Sequence, residues 1–140
     1  MTLPAWAREL LENERVARLS FHDSQDHPRV LPVTFALAED AVWSAIDRKP
    51  KRSAEPARVR RLRRDPRASL LVDVYDDDWE RLRWVQILGR VEIIEAAGQD
   101  AALAALAAKY PQYEREQPPG PLLRLDVGRA VCWRADDGQY

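Results

Sequence analysis

Alternation of apolar and polar residues recurs along the chain and predicts six β-strands. The pattern is clear in the first of them, where Ala17, Leu19 and Phe21 alternate with Arg18 and Ser20. Turn-forming residues separate the strands and place them at residues 15–22, 29–37, 41–46, 68–75, 82–95 and 122–134. Two short turns join the first three strands, which favours an antiparallel meander over a parallel sheet with crossovers.

Three other segments repeat their apolar residues with the period of a helix and span residues 3–14, 55–64 and 100–110. In the second of these helices only Val59 and Leu62 are expected to face inward, and Ser53 is placed to cap it. Gly89, in the middle of the long fifth strand, is expected to mark a bulge or a close approach. Together the elements predict a mainly β protein with accessory helices, in which one domain over residues 1–140 forms a closed or nearly closed antiparallel barrel.

The length and composition agree with this expectation. A chain of 140 residues has room for one domain, and 46% hydrophobic residues with five Trp are enough for a packed core. No long apolar run or signal-peptide pattern is visible, so we expect a cytoplasmic protein that does not enter a membrane. The single cysteine, Cys132, excludes an intramolecular disulfide bond and is expected to be a small buried apolar residue.

Charge is distributed very unevenly along the sequence. The formal net charge is −1, yet residues 48–67 hold ten Lys or Arg against two acidic residues and carry +8, while the remainder carries −9. The run Ser44–Arg52, which overlaps the start of this basic segment, joins a predicted strand to a predicted helix, where a hydroxyl, backbone amides and cations could meet a phosphate. A solvated basic loop or a nucleic-acid contact would give the same pattern, but the acidic remainder argues against nucleic acid.

A set of aromatic residues occupies neighbouring predicted strands and turns: Trp43, Tyr75, Trp79, Trp84 and Trp133. Their rings could stack on a flat heterocycle, fill a dimer interface or belong to the barrel core. Trp84 is the one that we most expect to lie outside the core.

No side chain stands out as a catalytic residue, and we predict no metal site. The acidic run Asp76–Asp78 is typical of a solvated turn, and His22 and His27 lack a third ligand at zinc spacing. The sequence has neither a glycine-rich phosphate loop nor a nucleophile elbow. If the protein is an enzyme, we therefore expect a cofactor to supply the chemistry.

Three runs of residues resemble the split β-barrel oxidoreductases related to pyridoxamine-phosphate oxidase, specifically the branch that uses the deazaflavin coenzyme F-420. These runs are His27–Phe35, Ser44–Arg52 and Leu62–Asp73, and the Leu-Arg-Arg-Asp-Pro-Arg-Ala-Ser sequence that opens the third is the most specific. The turn Tyr75–Trp79 and the pair Trp84-Val85 resemble one actinobacterial subgroup of that branch. The resemblance spans residues 10–95 and implies a six-stranded split β-barrel.

The resemblance also implies a homodimer that holds the cofactor in a groove between its subunits. By position, the residues that would border the ring are Leu31, Pro32 and Val33. Those along the ribityl chain would be Ser44 and Ile46, and those at the phosphate and the anionic tail would be Lys49, Lys51 and Arg52. The residues that would close the groove from the partner subunit are Trp79 and Trp84.

The function implied by the resemblance is an oxidoreductase that exchanges a hydride between F-420 and a small electron-poor substrate. The alternatives are an FMN-binding oxidase or reductase of the same fold, and an F-420-binding protein without turnover.

Overall fold

A computed structural model describes residues 1–46 and 55–137 of the chain. The predicted phosphate-binding residues Lys49, Lys51 and Arg52, together with the predicted helix cap Ser53, lie outside the described residues.

The described residues form seven strands and four α-helices. The strands are β1 (Ala17–His22), β2 (Pro28–Val33), β3 (Ala36–Ala38), β4 (Ala41–Ala45), β5 (Arg67–Val74), β6 (Arg83–Ile94) and β7 (Leu122–Arg134). The helices are α1 (Ala5–Asn13), α2 (Ala57–Arg64), α3 (Asp100–Lys109) and α4 (Pro111–Arg115), with short 3-10 helices at Trp79–Arg81 and Ala135–Asp137.

All seven strands belong to one antiparallel sheet with the order β2-β1-β5-β6-β7-β4-β3. Its two edge strands, β2 and β3, are consecutive in the chain and are separated only by Thr34 and Phe35. Such a short connector can join opposite edges only if the sheet curls round on itself. Among the described residues no ladder joins β2 to β3, so the curled sheet is not closed into a barrel.

The predictions of six strands, of a meander formed by the first three of them and of a closed barrel are therefore wrong, and the difference begins at residues 29–37. This segment is two strands, because the amide of buried Phe35 donates to the Tyr110 hydroxyl instead of to a neighbouring strand. β2 pairs with β1, whereas β4 pairs with β7. Pro28 and Pro32 are tolerated in β2 because an edge strand can do without their missing N–H groups.

The core has two parts. The main cluster lies on the concave side of the sheet, where Leu19, Phe21, Leu70 and Ile87 pack with α1 and α2. A second cluster packs Trp43 of β4 against Leu106, Tyr110 and neighbouring residues of α3. Cys132, expected to be buried, is only half-buried at the margin of the main cluster.

The predicted irregularity at Gly89 is confirmed. The β6–β7 register shifts between Leu88 and Gly89, and a Cβ atom on Gly89 would lie 1.9 Å from the Asp126 carbonyl oxygen. The bulge lets the backbones of β6 and β7 approach closely where the sheet curls.

The predicted helices are present with shorter bounds, and α4 is an additional one. Pro111 starts α4 directly after α3, since proline is favoured in a first helical turn. In the part of the chain that the structure describes, none of the helices is long and apolar enough to cross a membrane.

Candidate functional site

A cavity of about 160 Å³ opens where β2 and β4 end and α2 begins. Its lining residues are Val16, Pro32, Val33, Thr34, Ala45 and Arg58. The cavity thus lies beside the Thr34-Phe35 connector and next to the end of the described part of β4.

Arg58 gives this cavity an unsatisfied donor. Its Nε atom is buried and has no hydrogen-bond partner among the described residues. Leaving a buried charged donor unpaired is costly, so the arrangement favours an acceptor, above all an anion.

The start of α2 adds to the positive potential at the cavity. Pro56 precedes the helix, and the first amide that bonds inside it is that of Val59, to the Pro56 carbonyl. The amides of Ala57 and Arg58 therefore lie in the helix turn whose donors have no intrahelical acceptor. An arginine and a helix N-terminus together are typical of a phosphate-binding site.

Side chains from two directions hold the connector that borders the cavity. The Ser44 hydroxyl donates to the Thr34 carbonyl oxygen at 2.6 Å. The Thr34 hydroxyl lies 2.7 Å from the Tyr113 hydroxyl, and the Phe35 amide donates to Tyr110 Oη at 3.0 Å. The cavity wall is therefore fixed by β4 on one side and by α3 and α4 on the other.

The predicted ring-bordering and ribityl residues differ in orientation. Pro32 is exposed and, with Val33, lines the cavity, whereas Leu31 is half-buried against the main core. Ile46 and Ser44 are buried, and the Ser44 hydroxyl already donates to a carbonyl within the chain. Of these five predicted residues, Pro32 and Val33 are the ones that line the cavity.

The convex face of the sheet carries a row of side chains in continuous register. Pro32 of β2 pairs with Arg18 of β1, which pairs with Leu71 of β5. Leu71 pairs with Gln86 of β6, and Gln86 pairs with Val131 of β7. Pro32 of β2 and Val131 of β7 therefore lie on the same face of the sheet.

The β5–β7 part of that face mixes large apolar residues with polar ones such as Asp73 and Gln86. Five half-buried side chains there belong to neither hydrophobic cluster of the described residues: Leu71, Trp84, Leu88, Val131 and Trp133. We call these five residues the convex patch. On β2, at the other end of the same face, Val30 is 65% exposed.

The predicted aromatic residues fall into different environments. Trp43 is only 1% exposed in the second core cluster, whereas Trp79 and Tyr75 are 69% and 70% exposed. Trp84 and Trp133 pair directly across β6 and β7. They help to line a larger cleft of about 610 Å³ with Asp73, Val74, Tyr75, Leu82, Arg83, Val131, Cys132 and Arg134. The structure therefore places Trp84 outside the core, as expected, and three strands away from Pro32 in the sheet.

A polar cluster lies at the β1–β2 hairpin. One ligand atom each from His22, Asp26 and Asp65 lies within 4.8 Å of the others. Asp65, however, accepts hydrogen bonds from the Arg67 guanidinium at 2.6 and 2.9 Å, and this contact holds the pKa of the Asp65 carboxyl well below its usual range. The arginine already neutralises the carboxylate, so the cluster is an ion-pair network around the turn.

The acidic run also serves as turn structure. The Asp76 carboxylate accepts from the amide of Asp78, and the Asp78 carboxylate accepts from the amide of Glu80. These local bonds are typical of turns and helix starts.

Sequence reasoning missed two residues of this region, Arg58 and Tyr110. Arg58 was one of many arginines on a basic helix, and only its place in the first turn of α2 distinguishes it. Tyr110 directly follows α3, and its residue type is a signal in the sequence, because a buried tyrosine hydroxyl requires hydrogen-bond partners.

A family model described as pyridoxamine 5'-phosphate oxidase matches residues 3–133. The chain therefore belongs to the pyridoxamine 5'-phosphate oxidase family. No curated protein sequence matches it.

Solved structures share the fold at low sequence identity. A conserved hypothetical protein from Mycobacterium tuberculosis has a TM-score of 0.80 at 19% identity, covering 100% of this chain and 90% of its own. The heme storage protein HutZ from Vibrio cholerae has a TM-score of 0.71 at 14% identity, with coverages of 96% and 95%. An FAD-binding protein from Mesorhizobium loti has a TM-score of 0.66 at 20% identity, with coverages of 94% and 95%.

Proposed function

We propose that this protein is an oxidoreductase that uses coenzyme F-420 as hydride donor or acceptor for a small electron-poor substrate. The cofactor binds at the Arg58 cavity, with its phosphate toward the start of α2 and its ring against the exposed face of Pro32. The family membership supports a redox cofactor, and the residues of the cavity support an anionic one.

The single observation that carries the proposal is the buried Nε of Arg58, which has no hydrogen-bond partner within residues 1–46 and 55–137. It lies at the start of a helix within the basic segment 48–67, which carries +8. F-420 has a phosphodiester and several carboxylates and is more anionic than FMN, so the positive potential of this segment attracts it more strongly. In this proposal Lys49, Lys51 and Arg52 also contact the phosphate and the anionic tail.

The protein acts as a homodimer in this proposal, with the convex patch as the subunit interface. Large apolar side chains that pack on neither core cluster gain most from being covered by a second copy. Within one chain Trp84 is three strands from Pro32, about 14 Å along the sheet. A ring that rests on Pro32 would therefore be covered by Trp84 and Trp79 of the partner subunit.

F-420, when bound, supplies a ring carbon that gives or takes a hydride. The chain's own residues bind and orient: Arg58 and the start of α2 hold the phosphate, and Pro32 and Val33 support the ring. Holding a ring and a substrate in a reactive geometry can account for a large part of the rate without a catalytic side chain.

Binding measurements on matched arginine variants test the cofactor site. Fluorescence quenching would give the Kd of F-420 for the wild type, Arg58→Ala, Arg58→Lys and Arg60→Ala. Arg60 lies on the exposed side of the same helix, so its loss removes the same charge from α2 and serves as the control. We expect Arg58→Ala and Arg58→Lys to raise Kd about tenfold or more, because both lack the Nε donor, and Arg60→Ala to raise it less than about threefold.

Two results would overturn the assignment of the site. Equal effects of Arg58→Ala and Arg60→Ala would mean that only long-range charge matters. Wild-type affinity in Arg58→Ala, with loss of affinity in a Lys51→Ala/Arg52→Ala variant of unchanged Tm, would place the phosphate on the basic loop alone.

An FMN-binding oxidase or reductase is the second candidate, because a structural neighbour is an FAD-binding protein. The same titration with FMN separates the two candidates: binding of FMN at least tenfold tighter than that of F-420 would replace our proposal with the flavin assignment. A non-catalytic binding protein is the third candidate, since another neighbour stores heme. Such a protein would bind reduced F-420 without oxidising it in the presence of any electron-poor acceptor.

A further inference from the structure

Tyr110 does not line the cavity, but it is buried close to it and its hydroxyl makes several hydrogen bonds. It is buried at the end of α3, and its hydroxyl has three hydrogen-bond partners. The Phe35 amide donates to it at 3.0 Å, and the carbonyl oxygens of Arg15 and Phe35 lie 2.8 and 3.1 Å from it as acceptors. The hydroxyl thus accepts from the Phe35 amide, and its single proton is shared between the Arg15 carbonyl, which is the closer acceptor, and the Phe35 carbonyl.

Phe35, which the Tyr110 hydroxyl holds, belongs to the Thr34-Phe35 connector between the two edge strands of the sheet. Phe35 follows Thr34, which lines the Arg58 cavity, and Thr34 follows Val33, which also lines it. Because Phe35 pairs with no strand, the Tyr110 hydroxyl takes the place of the ladder that would otherwise fix the backbone here.

A second tyrosine from the same helical hairpin supports the neighbouring residue. The Tyr113 hydroxyl lies 2.7 Å from the Thr34 hydroxyl, and the two tyrosine rings contact edge to face at 5.6 Å. On the other side, Lys109 Nζ lies 3.5 Å from the centre of the Phe35 ring. Three residues of the α3–α4 region therefore contact Thr34 or Phe35: Lys109, Tyr110 and Tyr113.

We propose that Tyr110 is a positioning residue for the candidate cofactor site, which its buried hydroxyl shapes by fixing the Thr34-Phe35 connector, with Tyr113 assisting through Thr34. The inference rests on the proposed function, because it assumes that a cofactor occupies the cavity beside the connector. Without the hydroxyl, the buried Phe35 amide lacks an acceptor and the Arg15 and Phe35 carbonyls lose the donor that they share, so the connector samples other backbone conformations. The measured Kd then rises in inverse proportion to the fraction of molecules that keep the binding conformation.

The test compares Tyr110→Phe with a variant that destabilises the same helix without touching the connector. Leu106 is buried in the second core cluster on α3, so Leu106→Val is the matched control for lost stability. F-420 and FMN would be titrated separately against the wild type, Tyr110→Phe and Leu106→Val at a temperature well below each Tm. We expect Tyr110→Phe to raise the Kd of whichever cofactor binds about fivefold or more, and Leu106→Val to leave it within about twofold.

A double-mutant cycle follows the second contact and remains informative if Tyr110→Phe does not fold. Tyr113→Phe and Thr34→Val each remove one side of a single hydrogen bond. If Tyr113 acts through Thr34, the Kd of the cofactor for the double variant is no higher than the higher of the two Kd values for the single variants. Additive losses of affinity would contradict the role of Tyr113.

The outcomes separate this inference from the proposed function. If the wild type binds F-420 or FMN and Tyr110→Phe binds it with the same Kd at a lower Tm, Tyr110 is merely structural and the inference is overturned. If the wild type binds neither cofactor, the proposed function is wrong and the inference falls with it.

Discussion

The two faces of strands β5, β6 and β7 both carry large apolar side chains but differ in their surroundings, and the convex face also carries polar residues such as Asp73 and Gln86. On the concave face Leu70, Val72, Val85 and Ile87 are fully buried in the main core. On the convex face the five residues of the convex patch are half-buried and join neither core cluster. The same strands therefore present one apolar surface that folding buries and one that it leaves accessible.

This difference indicates that the apolar side chains of the concave face stabilise the folded chain, whereas those of the convex patch would stabilise an association between chains. Side chains of the concave face contribute to the free energy of unfolding of one chain, because water leaves them when that chain folds. Side chains of the convex patch lose their remaining water only if a second molecule covers them. Apolar content alone does not distinguish folding from association.

Leu70 and Leu71 give the sharpest version of the comparison, because they are identical residues on opposite faces of β5. Leu70 is 2% exposed in the main core, and Leu71 lies in the convex patch. Leu70→Ala should lower the free energy of unfolding by about 2–5 kcal/mol, since it leaves a cavity in a packed core. Leu71→Ala should lower it by less than about 1.5 kcal/mol when urea unfolding is followed at a concentration where the chain is monomeric.

Equal losses for the two alanine variants would break the comparison. They would mean that the convex patch is as fully packed within one chain as the core is.

Gly89 lies at the shift in register between β6 and β7, and there is no room for a side chain at this position. A Cβ atom would contact the Asp126 backbone oxygen at 1.9 Å, so the β6 and β7 backbones would have to separate. We expect Gly89→Ala to lower the free energy of unfolding by about 1–3 kcal/mol, which thermal or urea unfolding would measure. Gly98→Ala is a useful control, because nothing lies within 4 Å of a Cβ there and any loss would reflect only its positive φ of 86°.

Local pattern predicted most of this architecture correctly. The alternation in β1 and β5, the helical periods of α1 to α3 and the Gly89 irregularity all depend on residues within one element or its immediate partner. The family resemblance placed the chain in a fold that the match over residues 3–133 supports.

The parts that pattern could not predict depend on contacts between distant residues. The break between β2 and β3 arises because Tyr110, 75 residues away, replaces a ladder at Phe35. Arg58 Nε is buried and has no partner in the part of the chain that the structure describes, and no count of arginines in the sequence shows this burial. The half-burial of Cys132 follows from its place at the end of β7, where its alternation suggested core.

A charge in the convex patch tests whether this face associates. Leu71→Arg would place a cation in the proposed interface, and Ala104→Arg would place one on the exposed surface of α3 as a control. We expect Leu71→Arg to raise the dimer dissociation constant about tenfold or more in sedimentation equilibrium, and Ala104→Arg to leave it unchanged. A wild-type chain that stays monomeric at all concentrations would refute the dimer, and the convex patch would then need another occupant.

The smallest expected effect is a change of stability with pH, and it concerns the half-buried charge of Lys109 at the end of α3. Its Nζ donates to the Leu11 carbonyl oxygen at 2.9 Å and lies against the Phe35 ring, and burial, followed by the nearby charge of Arg15, lowers its pKa from 10.5 to about 8. Between these two pKa values the unfolded chain holds a proton that the folded chain has released. Stability should therefore rise with pH in that window, and the penalty for burying the charge is fully present below pH 8.

Urea unfolding at pH 7 and pH 9.5 would measure this effect against Lys109→Met, which cannot titrate. Allowing for the partial exposure of the lysine, we expect the wild type to gain about 1 kcal/mol relative to Lys109→Met over that interval. Arg18→Met supplies the convex-face control, because it also removes a cation, here one from the half-exposed Arg18–Asp73 ion pair. Parallel pH profiles for the wild type and Lys109→Met would mean that water reaches Lys109 as freely as it reaches Arg18, and the contrast between the two faces would then hold for apolar side chains but not for charges.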